Sequence, residues 1–174
     1  NEAVKVYRAA TIDGDEGKVR ELLKEEGKTV NLQDVRKELR AGVMDSGLEG
    51  AALAKALNGI ETHVQGLALR VDPFRDVPLF KLQDAKIAEY EGIDYKKKNT
   101  AKYKKTIARV YKEVIEAKSS QDIKGINTEL SKYYGDIERL VRLNGKRVEG
   151  GRLGKYGAQI VGATAGALGG AAGG

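Results

Sequence analysis

The sequence has no cysteine and no tryptophan, and it holds only one histidine, two prolines and two phenylalanines among 174 residues. The absence of cysteine excludes disulfides, a thiol nucleophile and cysteine-ligated zinc or iron–sulfur sites. A single histidine excludes a metal centre built from several histidines of this chain. Aromatic residues make up 6% of the chain and charged residues 32%, so little bulky material is present for a large core.

The familiar catalytic and metal-binding motifs are incomplete in this sequence. Gly27–Thr29 resembles the end of a phosphate-binding loop, but Leu22 stands where that loop needs glycine. A calcium loop that began at Asp13 would need glutamate at its twelfth position, which is Lys24. His63 has no second histidine with which to form an HExxH zinc site. We therefore expect a protein that is not an enzyme, with no catalytic residues, metal, cofactor or small-molecule substrate.

Charge is divided unevenly along the chain. Residues 1–95 carry 14 basic and 18 acidic side chains, a net charge of −4, whereas residues 96–174 carry 17 basic and 7 acidic ones, a net charge of +10. Pro73 and Pro78 lie close together, and proline restricts the preceding residue to extended geometry. These features predict an acidic helical region (1–70), an extended linker (71–80), a basic helical hairpin (81–148) and a glycine-zipper tail (149–174).

Helical spacing of apolar residues appears already in the acidic region. We predict that Asn31 caps a helix that stops at Gly42, and that Ser46 caps another that stops at Gly59. The segment 60–67 is ambiguous between helix and strand. No stretch of the chain alternates strongly enough to require a sheet.

The helical signal is stronger in the basic region. Asn99 or Thr100 can cap a helix that Ser119 and Ser120 interrupt, and the two serines can cap the next helix. Two amphipathic helices joined by a short polar turn form an antiparallel hairpin. The predicted fold class is therefore all-α, with short helices, an extended proline-containing crossing, this hairpin and a C-terminal glycine-zipper helix.

A run of basic residues without any acidic residue occupies positions 96–112. Its members are Lys96, Lys97, Lys98, Lys102, Lys104, Lys105, Arg109 and Lys112. Such a run can neutralise the phosphates of DNA, with Tyr95, Tyr103 and Tyr111 stacking on exposed bases. It can also lie on an anionic membrane or protein surface, or be a solvated helix face whose tyrosines pack inward. The helical spacing of Tyr103 and Tyr111 favours inward packing for these rings.

Small residues recur at every fourth position of the tail. This row consists of Gly150, Gly154, Ala158, Gly162, Gly166, Gly170 and Gly174. Small residues at four-residue spacing let helices approach closely, either within a protein oligomer or in a bilayer. Arg147, Arg152 and Lys155 precede the uncharged segment, as suits contact with anionic lipid head groups. A flexible Gly/Ala linker is the alternative interpretation of the tail.

The order of these segments resembles that of the internal virion proteins of tailed bacteriophages. The resemblance covers Val77-Pro78-Leu79 through Arg142-Leu143-Asn144, with Gly150 to Gly174 after it. Proteins of that family are expelled with the genome and form a conduit across the host envelope. The resemblance implies a virion protein that assembles as a homo-oligomer with other virion proteins, contacts DNA and reaches the host membrane after ejection.

Our expectation from the sequence is therefore a non-enzymatic structural protein of a phage particle, in which the basic run contacts DNA or another anionic surface. Two alternatives stay open. One is a nucleic-acid-binding helical module with a flexible Gly/Ala tail, and the other is a scaffold segment of a larger enzyme.

Overall fold

A computed structural model describes residues 2–68 and 76–150 of the chain, the last seven of these by their backbone only. These residues are mostly helical, which confirms the all-α class at this level. The elements in chain order are α1 (Glu2–Ala10), α2 (Ile12–Glu26), β1 (Thr29–Asn31), α3 (Leu32–Met44), α4 (Gly50–Ala68), β2 (Asp76–Pro78), α5 (Leu79–Glu91), α6 (Lys98–Lys118) and α7 (Lys124–Gly150).

The described chain divides into two compact units. Residues 2–17 and 126–150 belong to the first unit, and Lys18–Gly125 form the second. This division assigns α6 to the second unit and most of α7 to the first. The packing of these two helices as a hairpin stays a prediction.

In the first unit, tyrosine hydroxyls bind carboxylates from distant parts of the sequence. The Tyr7 hydroxyl donates a hydrogen bond to Asp136 Oδ2 at 2.6 Å, and the Tyr134 hydroxyl donates one to Glu16 Oε1 at 2.9 Å. Glu16 is itself buried, so the bond from Tyr134 satisfies a polar group that would otherwise be costly to remove from water. These bonds connect the two chain segments that make up the unit.

In the second unit, α6 is the central helix. It packs against α3 and α5, and α3 also packs against α4. The inward face of α6 carries Ile107, Val110, Tyr111 and Ile115, all buried. Their spacing of three and four residues is the pattern that the sequence predicts for an amphipathic helix.

A short antiparallel sheet was not predicted from the sequence. Val30 in β1 is opposite Val77 in β2, and both side chains are buried. Each strand has only three residues, which is too short for an alternating pattern to be recognised. Asp76–Pro78 form β2 and α5 begins at Leu79, so the last two residues of the predicted linker are helical.

Asn31 caps α3 as predicted, since its side-chain oxygen accepts a hydrogen bond from Gln33 N at 2.8 Å. The predicted stops at Gly42 and Gly59 are wrong, because α3 continues to Met44 and α4 continues to Ala68. Both glycines instead face neighbouring helices at short range, where a side chain would collide with the partner helix. The ambiguous segment 60–67 is helical.

The other predicted helix N-caps are wrong. Asn99 and Thr100 lie inside α6, which begins at Lys98. α4 begins at Gly50, and the Ser46 hydroxyl donates to Val43 O at the end of α3 instead. Ser119 and Ser120 do interrupt the helical region, as predicted, because α6 ends at Lys118. Their side chains bind Glu26, however, and α7 begins only at Lys124.

Of the small-residue row, only Gly150 lies within the described backbone, as the last residue of α7. Gly154, Ala158, Gly162, Gly166, Gly170 and Gly174 lie outside the described residues, as do Arg152 and Lys155. Arg147 is part of α7, and its side chain is outside the described part. The proposed helix packing of the tail therefore stays a prediction.

Candidate anion-binding face

Five of the seven cationic side chains of α6 fall along one side of the helix. Because an α-helix has 3.6 residues per turn, residues 98, 102, 105, 109 and 112 fall within an arc of about 80°. We call this set the basic stripe, and its members are Lys98, Lys102, Lys105, Arg109 and Lys112. At 1.5 Å per residue the basic stripe is about 21 Å long. It lies opposite the buried face of α6, because the apolar and the cationic residues both follow helical spacing but on opposite sides of the helix.

The members of the basic stripe differ in their surroundings. Lys98, Lys102 and Arg109 are exposed, whereas Lys105 and Lys112 are half-buried. The Lys105 ammonium lies 5.6 Å from the centre of the Tyr95 ring, within the range of a cation–π contact. Arg109 Nε lies 3.8 Å from Glu113 Oε1, and exposed pairs of this kind are weak. The guanidinium of Arg109 therefore stays able to exchange Glu113 for another anion.

The three remaining basic residues of the run do not belong to the stripe. Lys96 and Lys97 are exposed and precede the first turn of α6. The Lys104 ammonium donates a hydrogen bond to the carbonyl oxygen of Gly92 at 2.8 Å, which fastens α6 to the end of α5. The run that the sequence treats as a single cluster therefore separates into a stripe, a pair before the helix and one structural lysine.

Tyr103 and Tyr111 point away from the stripe, as their helical spacing predicts. Tyr111 is 1% exposed, and burial, together with the charge of Glu89, raises the pKa of its hydroxyl well above the ordinary value. Burial and Glu89 likewise raise the pKa of Tyr103 to about 12. The Tyr103 ring lies 5.7 Å from the ring of His63, whose Nδ1 is 3.1 Å from Glu89 Oε1. Both tyrosines are therefore neutral, and His63 belongs to a packed polar cluster.

A groove runs between α4 and the first two turns of α6. It measures about 580 Å³, and one wall consists of small residues from α4. Asn99, Thr100 and Tyr103 line it from α6, next to the first residue of the basic stripe. The sequence did not predict this groove, because its walls come from segments that are about 50 residues apart.

The Tyr103 hydroxyl oxygen is buried and has no hydrogen-bond partner among the described residues. A buried polar group without a partner costs about 1–3 kcal/mol. We therefore expect Tyr103→Phe to raise the free energy of unfolding by about 1 kcal/mol in urea denaturation. Tyr7→Phe removes the same atom from a bonded site, and we expect it to lower the free energy by about 1–2 kcal/mol. Changes of equal sign would contradict this assignment.

Within residues 2–68 and 76–150, no helix combines the length and the apolar character that a membrane crossing requires. In the same ranges, no three histidine, aspartate or glutamate side chains come together in a way that could hold a metal ion.

Comparisons with models of protein families, with curated proteins and with solved structures find no match to this chain.

Proposed function

We propose that the chain is a non-enzymatic assembly protein whose basic stripe binds the phosphates of DNA. The observation that supports this proposal is the stripe itself. It places five cations on one side of a single helix, opposite the face that is buried in the core. The setting that the sequence resemblance implies, a component ejected with a phage genome, is part of the same proposal.

The dimensions of the basic stripe suit a nucleic-acid backbone. One strand of DNA carries a phosphate about every 3.4 Å, so a stripe of about 21 Å runs beside about six phosphates. The acidic residues Glu113 and Glu116 follow the stripe towards the end of α6. Their charge limits the anion-binding length to the first four turns of the helix.

The proposal is tested by measuring the affinity for a 20-base-pair DNA duplex over a series of salt concentrations. Each neutralised phosphate contributes about −0.9 to the slope of log K against log salt concentration, so five contacts give a slope of about −4.5. We expect the triple variant Lys98→Gln, Arg109→Gln and Lys112→Gln to reduce this slope by about 3. At 0.1 M salt we expect about 100-fold weaker binding.

A matched control removes the same charge from elsewhere in the unit. Lys18, Lys37 and Arg40 are exposed residues of α2 and α3, and their replacement by glutamine should leave the slope nearly unchanged. Equal losses in the two triple variants would mean that net charge, not the basic stripe, sets the affinity. Binding to anionic vesicles without binding to DNA would overturn the proposal in favour of a lipid surface.

A further inference from the structure

The groove between α4 and α6 has an apolar wall on its α4 side, formed mainly by alanine and glycine, whose small size leaves the space open. Ala52, Ala56 and Gly59 lie one turn apart along this side. A methyl group on Gly59 would come within 2.8 Å of the Tyr103 hydroxyl oxygen, so the Tyr103 side chain lies directly against the backbone of α4. The volume of the groove falls in the range of about 300–1,000 Å³ that is typical of ligand sites.

Polar and cationic groups surround this apolar wall. Asn99 and Thr100 are exposed and line the groove, with side chains that can both donate and accept hydrogen bonds. Lys55 lines it from α4. The Lys102 ammonium lies at Gly47, where a Cβ atom would be 3.0 Å from Nζ, beside the groove residue Leu48. The groove therefore complements an anion that carries a flat apolar part with hydrogen-bonding edges.

The groove is also continuous with the basic stripe. Lys98 begins the stripe, and the next residue, Asn99, lines the groove. Lys102 belongs to the stripe, and its ammonium lies at Gly47, the residue before the groove residue Leu48. A DNA strand whose phosphates follow the stripe would therefore bring a base to the mouth of the groove. Bases within a duplex are stacked and paired, so only an unpaired nucleotide can enter.

We propose that the groove binds one unpaired nucleotide of the DNA strand that lies on the basic stripe. This inference rests on the proposed function, and it adds a preference for single strands or frayed ends. The base lies against Ala52, Ala56 and the side of Tyr103, with its edge towards Asn99 and Thr100. Its phosphate lies near Lys55 and Lys102, and the neighbouring phosphates continue along the stripe.

The test compares a single-stranded 20-mer with its duplex in fluorescence anisotropy at one salt concentration. We expect the affinity of the wild type per phosphate to be about tenfold higher for the single strand than for the duplex. Contacts between a base and a site lined by an aromatic side chain add to the electrostatic attraction of the phosphates. Ala52→Met fills the groove without changing charge, and it should abolish this preference while leaving duplex affinity unchanged. Ala54→Met, at an exposed position of α4 outside the groove lining, should retain the preference.

A second variant guards against a folding defect in Ala52→Met. Asn99→Ala changes an exposed side chain of the groove, and it should weaken single-strand binding about threefold or more without affecting the duplex. The two proposals fail in different ways. If the single strand and the duplex bind with equal affinity, and neither Ala52→Met nor Asn99→Ala changes that affinity, the nucleotide groove alone is wrong. If no duplex binding is found that depends on the basic stripe, the proposed function is wrong.

Discussion

Replacing Gly42 by leucine is expected to lower the free energy of unfolding by about 3 kcal/mol. Gly42 lies in α3, and a Cβ atom at this position would overlap Val110 Cγ2 on α6. Because α6 is the central helix of its unit, the side chain of Val110 cannot move away without disturbing buried neighbours. Overpacking of this kind typically costs about 1–3 kcal/mol, and leucine adds more volume than the site can accept.

The matched control for this variant is Gly66→Leu. Gly66 is an exposed glycine within α4, and nothing lies within 4 Å of a Cβ atom there. Leucine has the better helix propensity, so we expect this change to raise the free energy of unfolding by up to about 1 kcal/mol. Chemical denaturation monitored by circular dichroism gives both values. If Gly42→Leu and Gly66→Leu were equally stable, the close approach of α3 and α6 would be wrong.

Replacing Glu26 by alanine is expected to lower the free energy of unfolding by about 2 kcal/mol at pH 7. Glu26 lies at the end of α2, and its side chain is 6% exposed. Its carboxylate accepts hydrogen bonds from the Ser119 hydroxyl at 2.6 Å, from Ser120 N at 2.7 Å and from the Ser120 hydroxyl at 2.9 Å. Lys28 Nζ lies 3.3 Å from the same group. Truncation leaves these donors without their charged acceptor.

The stabilisation from Glu26 should depend on pH in a defined direction. Burial raises the pKa of the Glu26 carboxyl, but the bonds from Ser119, Ser120 and Lys28 outweigh burial and lower the pKa from 4.5 to about 2. A carboxyl whose pKa is lower in the folded state stabilises that state above the unfolded pKa and loses this contribution as pH falls through the folded one. The stability difference between the wild type and Glu26→Ala should therefore shrink from about pH 4.5 down to about pH 2.

Glu25→Ala is the control for this measurement. Glu25 is the exposed neighbour of Glu26 in α2, and its removal changes the net charge by the same amount. We expect little change in stability at pH 7. A loss that equals that of Glu26→Ala, or a Glu26 effect that persists unchanged at pH 2, would contradict the role assigned to the two serines.

The sequence was most informative where local chemistry determines structure. The Asn31 cap depends on a side chain and an amide two residues away, so it could be read directly. The buried face of α6 follows from the spacing of Ile107 and Tyr111, and the basic stripe follows from the same periodicity applied to its cations. These features involve only one helix, so one stretch of sequence holds all the information.

Features that depend on contacts between distant segments could not be predicted. Glycine often ends a helix because it tolerates the left-handed backbone of the C-terminal cap. Nothing near these glycines in sequence reveals that Gly42 faces Val110 and that Gly59 faces Tyr103. The helix α5 was not predicted for a different reason. Its buried face includes Gln83 and Lys86, so its apolar periodicity is broken even though the helix is well packed. The groove could not be predicted either, because Leu48 and α4 line it together with the start of α6, which is distant in sequence.

The small sheet has a consequence for the folding route of its unit. Its paired residues are 45 to 49 positions apart in sequence. The bond from the Thr29 hydroxyl to Asp76 Oδ2 spans 47 positions. Closing a loop of this length costs about 3 kcal/mol of conformational entropy, and the contacts between three residue pairs alone do not offset this cost. The packing of α3 on α4 forms within this loop and brings the two ends of the loop closer together. We therefore expect the strands to join late in folding and to connect the two ends of a helical pair that has already formed.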